Sequence, residues 1–112
     1  MPASITALWA MAFIQVQPAP PLAGVWAEQG GPARARISPC PGRPTTLCAT
    51  DLENGRTVLT GLQAAGPGQW RGRYVADGMN LGATVRLTGP DAAAMTACRL
   101  VICQTVTYRR TR

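Results

Sequence analysis

The sequence predicts an all-β protein, a small antiparallel barrel of eight strands in up-and-down order. Three observations indicate this fold: apolar and polar residues alternate over short segments, Gly- and Pro-containing turns separate those segments, and four cysteines form two close pairs. Alternation with a period of two is typical of a strand with one buried face. Eight such strands in an open sheet would leave unprotected edges, which closure into a barrel removes. A small sandwich is the alternative architecture.

The first 23 residues carry no charged side chain and have the layout of a secretory signal. Residues 5–16 are apolar, and a Pro-rich stretch at residues 17–22 separates them from Ala23. An apolar core of this length fits a signal peptide and is too short to cross a bilayer. We therefore expect residues 1–23 to be a signal peptide and residues 24–112 to be a single β-barrel domain, periplasmic or secreted. An uncleaved interfacial anchor and a buried core segment are the alternatives.

Strand positions follow from the alternation and from the turns. Between Met79 and Thr88 the odd positions are mostly large and apolar, whereas the even positions are polar or Gly. Asn54-Gly55 and Gly89-Pro90 are among the turn signals. The eight strands are predicted at residues 24–29, 33–40, 46–50, 57–64, 69–75, 79–88, 94–100 and 102–110. A short helix is the alternative over residues 91–97, because their sequence DAAAMTA has good helix propensity.

The four cysteines are predicted to form two local disulfides, Cys40 with Cys48 and Cys98 with Cys103. Paired cysteines in a short exported chain usually form bridges, and each pair can lie across a hairpin. Other pairings, free thiols and a metal site are the alternatives. The spacings do not match the two CxxC knuckles of a typical four-cysteine zinc site.

The first and last strands carry residues that suit barrel closure. Trp26 lies in the first strand, and Tyr108 and Arg110 share one face of the last. If these strands pair, Arg110 can lie over the Trp26 ring in a cation–π contact. Alternatively, Trp26 is an ordinary core aromatic and Arg110 a solvated charge.

Several motifs together resemble a family of secreted bacterial proteins called domain of unknown function 2147. They are Gly24-x-Trp26, the Cys40 and Cys48 pair, Asp51-x-x-Asn54 with Arg56 and Gly61-Leu62, Trp70-x-Gly72-x-Tyr74, and the closing Cys98, Cys103 and Thr107-Tyr108-x-Arg110. The resemblance implies a small periplasmic or secreted protein with a lipocalin-like barrel, and no agreed activity. Tyr108 stands where the family usually has Trp.

The composition excludes the commonest catalytic sites. The chain has no His, which removes the Ser-His-Asp, Cys-His and HExxH arrangements. We expect a non-enzymatic, monomeric envelope protein without catalytic residues, cofactor, metal or transmembrane span. Because its strands are short, the barrel is expected to be filled by its own side chains. The alternative, only slightly less favoured, is a barrel that holds a small apolar ligand between Trp26, Trp70, Tyr74, Met79, Leu81 and Tyr108.

The net charge of +6 supports a second hypothesis, in which an arginine-rich face contacts anionic envelope components or an acidic partner. All eleven basic residues are arginines, and they occur singly or in pairs. Nucleic acid is not expected as a partner, since the chain lacks clustered basic runs.

Overall fold

Eight strands close on themselves in the computed structural model, which describes residues 21–111. The strands are β1 (Gly24–Glu28), β2 (Arg34–Cys40), β3 (Arg43–Asp51), β4 (Thr57–Gly66), β5 (Gln69–Tyr74), β6 (Leu81–Gly89), β7 (Ala92–Arg99) and β8 (Ile102–Arg110), with a 3-10 helix at Ala76–Gly78. Each strand pairs antiparallel with the next, and β8 pairs with β1. The predicted eight-stranded antiparallel barrel is confirmed. The apolar segment at residues 5–16, predicted as the signal core, lies outside the described residues.

The predicted strand ends lie within two residues of the observed ones except at the start of β3. Strand β3 begins at Arg43, not at Thr46, so the turn after β2 is only Pro41 and Gly42, with Gly42 at a φ of 73°. The helical alternative over residues 91–97 is wrong, because Ala92–Arg99 is a strand that pairs with β6 on one side and β8 on the other. Two full ladders of backbone hydrogen bonds outweigh a weak local helix propensity.

The up-and-down order gives the barrel two distinct ends. The closed end contains the short turns at residues 41–42, 67–68 and 90–91, the start of β1 and the end of β8. The mouth contains the connections at residues 29–33, 52–56, 75–80 and 100–101. The closed end therefore consists of two-residue turns and the two chain ends of the barrel, whereas three longer connections and one tight turn surround the mouth.

Inward-facing apolar side chains from β1 to β7 form the core together with Leu22, which precedes β1. The buried members are Leu22, Trp26, Ile37, Ala49, Leu59, Leu62, Ala83, Val85, Ala93 and Met95. Gly72 on β5 faces the same interior, and a Cβ there would lie 2.6 Å from the Thr60 carbonyl oxygen. The Gly in the Trp70-x-Gly72-x-Tyr74 motif therefore allows β4 and β5 to approach at the bulge near Gly61.

Candidate ligand cavity and the two ends of the barrel

Leu22 and Trp26 seal the closed end. Their exposed fractions are 1% and 2%, and the Trp26 indole Nε1 donates a 2.9 Å hydrogen bond to the Leu22 carbonyl oxygen. An indole N–H that is buried needs an acceptor, and the chain before β1 supplies it. Leu22 is therefore part of the core, although the expected signal cleavage after Ala23 would separate it from the barrel.

Arg110 covers the same end from β8. Its register partner on β1 is Trp26, and its guanidinium carbon lies 4.4 Å from the centroid of the Trp26 ring. The guanidinium donates hydrogen bonds to the carbonyl oxygens of Ala23 at 2.9 Å and Pro21 at 2.8 Å. It also lies 3.6 Å from a carboxylate oxygen of Asp91. The structure thus contains the contact between Trp26 and Arg110 that the sequence predicts, and adds three polar partners for the arginine.

Above this floor the barrel interior is hollow. A cavity of about 250 Å³ extends from Leu22 and Trp26 toward the mouth. Its lining consists mainly of inward-facing apolar residues from most of the strands: Leu22, Trp26, Ala33, Ala35, Ile37, Ala49, Val58, Leu59, Val85, Ala93, Met95 and Val106. Glu28, Arg34, Asp51, Tyr74 and Tyr108 complete it. The cavity combines an apolar floor and walls with a small polar set, which is the usual composition of a ligand site.

The six residues predicted to line a site are divided between two cavities. Trp26, Tyr74 and Tyr108 line the first. Met79 and Leu81 line a second cavity of about 270 Å³, to which Tyr74 also contributes. Trp70 lines neither and packs against the core. Because Tyr74, Met95 and Val106 belong to both linings, the two cavities are neighbours inside one barrel.

Several lining residues were absent from the predicted set. Val85 lies in the alternating segment at residues 79–88, so the period-two pattern contained a signal for it. Leu59 and Met95 lie in predicted strands without such alternation. Leu22 was not expected in the core, because residues 1–23 were predicted to be a signal peptide.

The two tyrosines near the mouth remain neutral to higher pH than usual. Burial raises the pKa of the Tyr108 phenol, and the negative charge of Glu28 raises it further, followed by smaller effects of Tyr74 and Asp51. Burial, followed by the charge of Asp77, also raises the pKa of Tyr74. At neutral pH both phenols are therefore uncharged and able to donate a hydrogen bond beside an apolar ligand.

Both predicted disulfides are present, one near each end of the barrel. Cys40–Cys48 joins β2 to β3 near the closed end, with the Cα atoms 4.9 Å apart and both residues buried. Cys98–Cys103 joins β7 to β8 near the mouth, with a Cα separation of 4.0 Å. The cysteine alternatives of other pairings and free thiols are wrong for this structure, since no free cysteine remains.

The arginines surround the barrel and do not form one compact patch. Nine of them are exposed within residues 21–111: Arg34, Arg36, Arg43, Arg56, Arg71, Arg73, Arg86, Arg99 and Arg109. The carboxylates have a narrower distribution. Strands β5, β6, β7 and β8 contain none, whereas Glu28 and Asp51 end β1 and β3 at the mouth. One half of the barrel wall is therefore purely cationic.

Within the described part of the chain, no group of three or more His, Cys, Asp or Glu residues is placed to hold a metal ion. No helix among residues 21–111 has the length and hydropathy to cross a membrane. Comparisons with known protein families, curated proteins and solved structures give no significant match for the chain.

Proposed function

We propose that the protein is a non-enzymatic exported envelope protein whose barrel holds one small apolar molecule. The observation that carries this proposal is the cavity of about 250 Å³ between the Trp26 floor and the mouth. An apolar cavity of about 150 Å³ holds one benzene, and sites for drug-sized ligands begin at about 300 Å³. By proportion, the ligand has on the order of ten non-hydrogen atoms.

Two features support export to the periplasm or the outside of the cell. Two disulfides within 91 described residues are typical of proteins in oxidising compartments. The uncharged, apolar start of the sequence has the layout of a signal peptide. The resemblance to the domain of unknown function 2147 family, with its lipocalin-like barrel, agrees with this proposal.

The ligand proposal is tested by titrating the purified protein with naphthalene, a ten-carbon apolar probe, in a calorimeter. We expect saturable binding by the natural sequence and its loss in Ala93→Phe, because Ala93 is buried in the cavity wall and a benzyl group would occupy the space. Ala64→Phe is the matched control, since Ala64 is exposed and lines neither cavity. Equal binding by both variants would contradict the assignment of the cavity.

A second candidate function is contact with anionic envelope components or an acidic partner. The observation that favours it is the cationic half of the barrel, where β5 to β8 carry five exposed arginines and no Asp or Glu. Such binding weakens steeply as salt is added, because exposed charges are screened over about 10 Å at 0.1 M. An affinity for anionic probes that salt does not change would contradict this function.

A further inference from the structure

The turn between β7 and β8 exposes three aliphatic side chains in succession. Leu100, Val101 and Ile102 are 94%, 93% and 72% exposed and are the large hydrophobic residues of residues 21–111 that lie open to solvent. Together with Arg99 they form what we call the tip, residues 99–102. Isolated surface apolar residues are ordinary, but three adjacent ones at a turn are not.

The tip also has an unfavourable backbone for its sequence. Leu100 adopts a φ of 55°, in the left-handed region that Gly and Asn accept more readily. The tip contains neither residue, nor Pro. Neither its backbone conformation nor its exposed side chains stabilise the barrel, so the sequence of the tip suits a role outside folding.

The hairpin carries the tip beyond β1 on one side, whereas on its other side β6 accompanies it almost to the turn. On one side, pairing of β8 with β1 ends at Tyr108 and Glu28, followed by a hydrogen bond from the Gln29 amide to the Thr107 carbonyl. The residues of β8 from there to Ile102 extend roughly 17 Å along the strand direction beyond β1. On the other side, pairing with β6 ends at Cys98. The Cys98–Cys103 disulfide closes the hairpin directly below the tip.

The strands beside the tip carry arginines and no carboxylate, whereas four carboxylates lie elsewhere at the mouth: Glu28, Asp51, Glu53 and Asp77. Arg99 belongs to the tip itself, and Arg73 lies on the row of paired residues that runs through Gly82 to Cys98. Arg73 is held by two hydrogen bonds to Asn80, at 2.7 Å to the side-chain oxygen and 2.8 Å to the carbonyl. No carboxylate occurs on β5, β6, β7 or β8, and Asp77 is in the connection that precedes β6.

We propose that the tip docks the protein onto an anionic lipid bilayer, with its aliphatic side chains in the headgroup and acyl boundary and Arg99 beside lipid phosphates. Apolar groups that enter this boundary bind through burial, and arginines add attraction to anionic lipid. A stable protein interface buries about 800 Å² on each partner, far more than three side chains on a convex turn offer. The proposal deepens the second candidate function and is independent of the cavity of about 250 Å³, which no tip residue lines. Arg99 and Ile102 line only the second cavity.

The test is co-sedimentation of the purified protein with two kinds of vesicle, pure phosphatidylcholine and phosphatidylcholine mixed with phosphatidylglycerol. The tip variant combines Leu100→Asn and Val101→Gly, a pair that suits a tight turn and retains both cysteines of the disulfide. The matched control combines Ala64→Asn and Ala65→Gly, which make the same replacements at exposed positions of β4.

We expect the natural sequence and the control to bind the anionic vesicles, and the tip variant to bind roughly tenfold more weakly or worse. Thermal unfolding of the tip variant should occur at the same or a higher temperature, which separates docking from folding. Equal binding of the tip variant would overturn the docking proposal and leave the arginine contact standing. Absence of binding by the natural sequence would overturn both. A dimer of the natural protein that the tip variant lacks would identify a second copy of the chain as the partner and overturn the lipid proposal.

Discussion

The two ends of the barrel use the same kinds of residue in opposite ways. At the closed end, Leu22 is buried, Arg110 binds backbone and ring, and the nearby disulfide is covered. At the mouth, Leu100, Val101 and Ile102 are exposed, and the second disulfide closes the hairpin that carries them. Because contacts at the closed end stabilise the barrel, the mouth can expose residues that contribute little to folding. We therefore expect substitutions at the closed end to cost more stability than substitutions at the mouth.

The largest effect is expected from removal of residues 21–23. A chain that begins at Gly24 loses the buried Leu22 side chain, worth roughly 2 to 5 kcal/mol, and leaves the Trp26 indole N–H without its acceptor, at a cost of roughly 1 to 3 kcal/mol. We expect the free energy of unfolding, measured by urea titration, to fall by the order of their sum. Leu22→Ala in the chain that retains residues 21–23 is the milder variant. Pro21→Ala is the control, because Pro21 is exposed and the substitution leaves in place the backbone carbonyl that binds Arg110.

The burial of Leu22 also bears on the proposed signal cleavage. The sequence predicts a start at or near Gly24, yet the observed core includes Leu22. If the functional barrel has this core, amino-terminal sequencing of the mature protein will find a start at or before Leu22. A start at Gly24, combined with undiminished stability of the chain that begins there, would show that the barrel does not need Leu22 at its closed end.

The next largest effects concern Trp26 and Arg110. Trp26→Ala removes a fully buried ring and should cost about 3 to 5 kcal/mol. Arg110→Ala should cost about 2 to 3 kcal/mol, because it loses two charge-assisted hydrogen bonds in addition to the ring contact.

Since the two side chains touch, the double variant should cost less than the sum of the single variants. Chemical denaturation of all four proteins measures this difference. Strictly additive losses would mean that the ring contact contributes nothing. Arg109→Ala is the matched control, because Arg109 is the exposed neighbour on the same strand.

The two disulfides should differ in their contribution to stability. Chain entropy alone predicts nearly equal effects of about 2 to 3 kcal/mol, since both loops are short. Cys40 and Cys48 are also buried, whereas Cys103 is exposed, so Ser at the first pair places two hydroxyls in a covered site. We expect Cys40→Ser with Cys48→Ser to lower the melting temperature more than Cys98→Ser with Cys103→Ser. The reverse order would break the comparison between the ends.

Most of the fold could be predicted from the sequence because its determinants are local. Alternation along residues 79–88 and the Gly-containing turns predict β6 and its neighbours, and the cysteine spacing predicts both bridges. The segment at residues 91–97 was ambiguous, since helix propensity is local while the ladders that make most of it a strand come from β6 and β8. Tertiary pairing decides such a segment.

The site was harder to predict than the fold. Which of the inward-facing residues border a void depends on strand tilt and on the bulges near Gly61, which no period reveals. Trp70 and Tyr74 are four positions apart on β5 and lie on the same face of the strand. Both pack against the core, but only Tyr74 lines a cavity. Leu22 was missed because it lies before the predicted cleavage site. Its carbonyl oxygen accepts a hydrogen bond from the Trp26 indole, which lies after that site.

The smallest effect is expected at the mouth, in the ionisation of the two tyrosines. Tyr74 and Tyr108 are the only tyrosines of the chain, and both have folded-state pKa values above the ordinary 10.0. The folded barrel therefore holds protons that the unfolded chain releases. Their contribution to stability is fully present below about pH 10 and is lost as the pH rises through the folded-state values. Absorbance of the phenolate near 295 nm should accordingly rise at higher pH for the folded protein than for protein in denaturant.

Glu28→Gln removes the largest charge effect on Tyr108 and should shift part of the folded titration to lower pH. Glu53→Gln, which changes an exposed mouth carboxylate that is not a cause of either shift, should leave the curve in place. Coincident curves for the folded and unfolded protein would mean that the Tyr108 phenol is solvated, and that the mouth is wider than the cavity lining indicates.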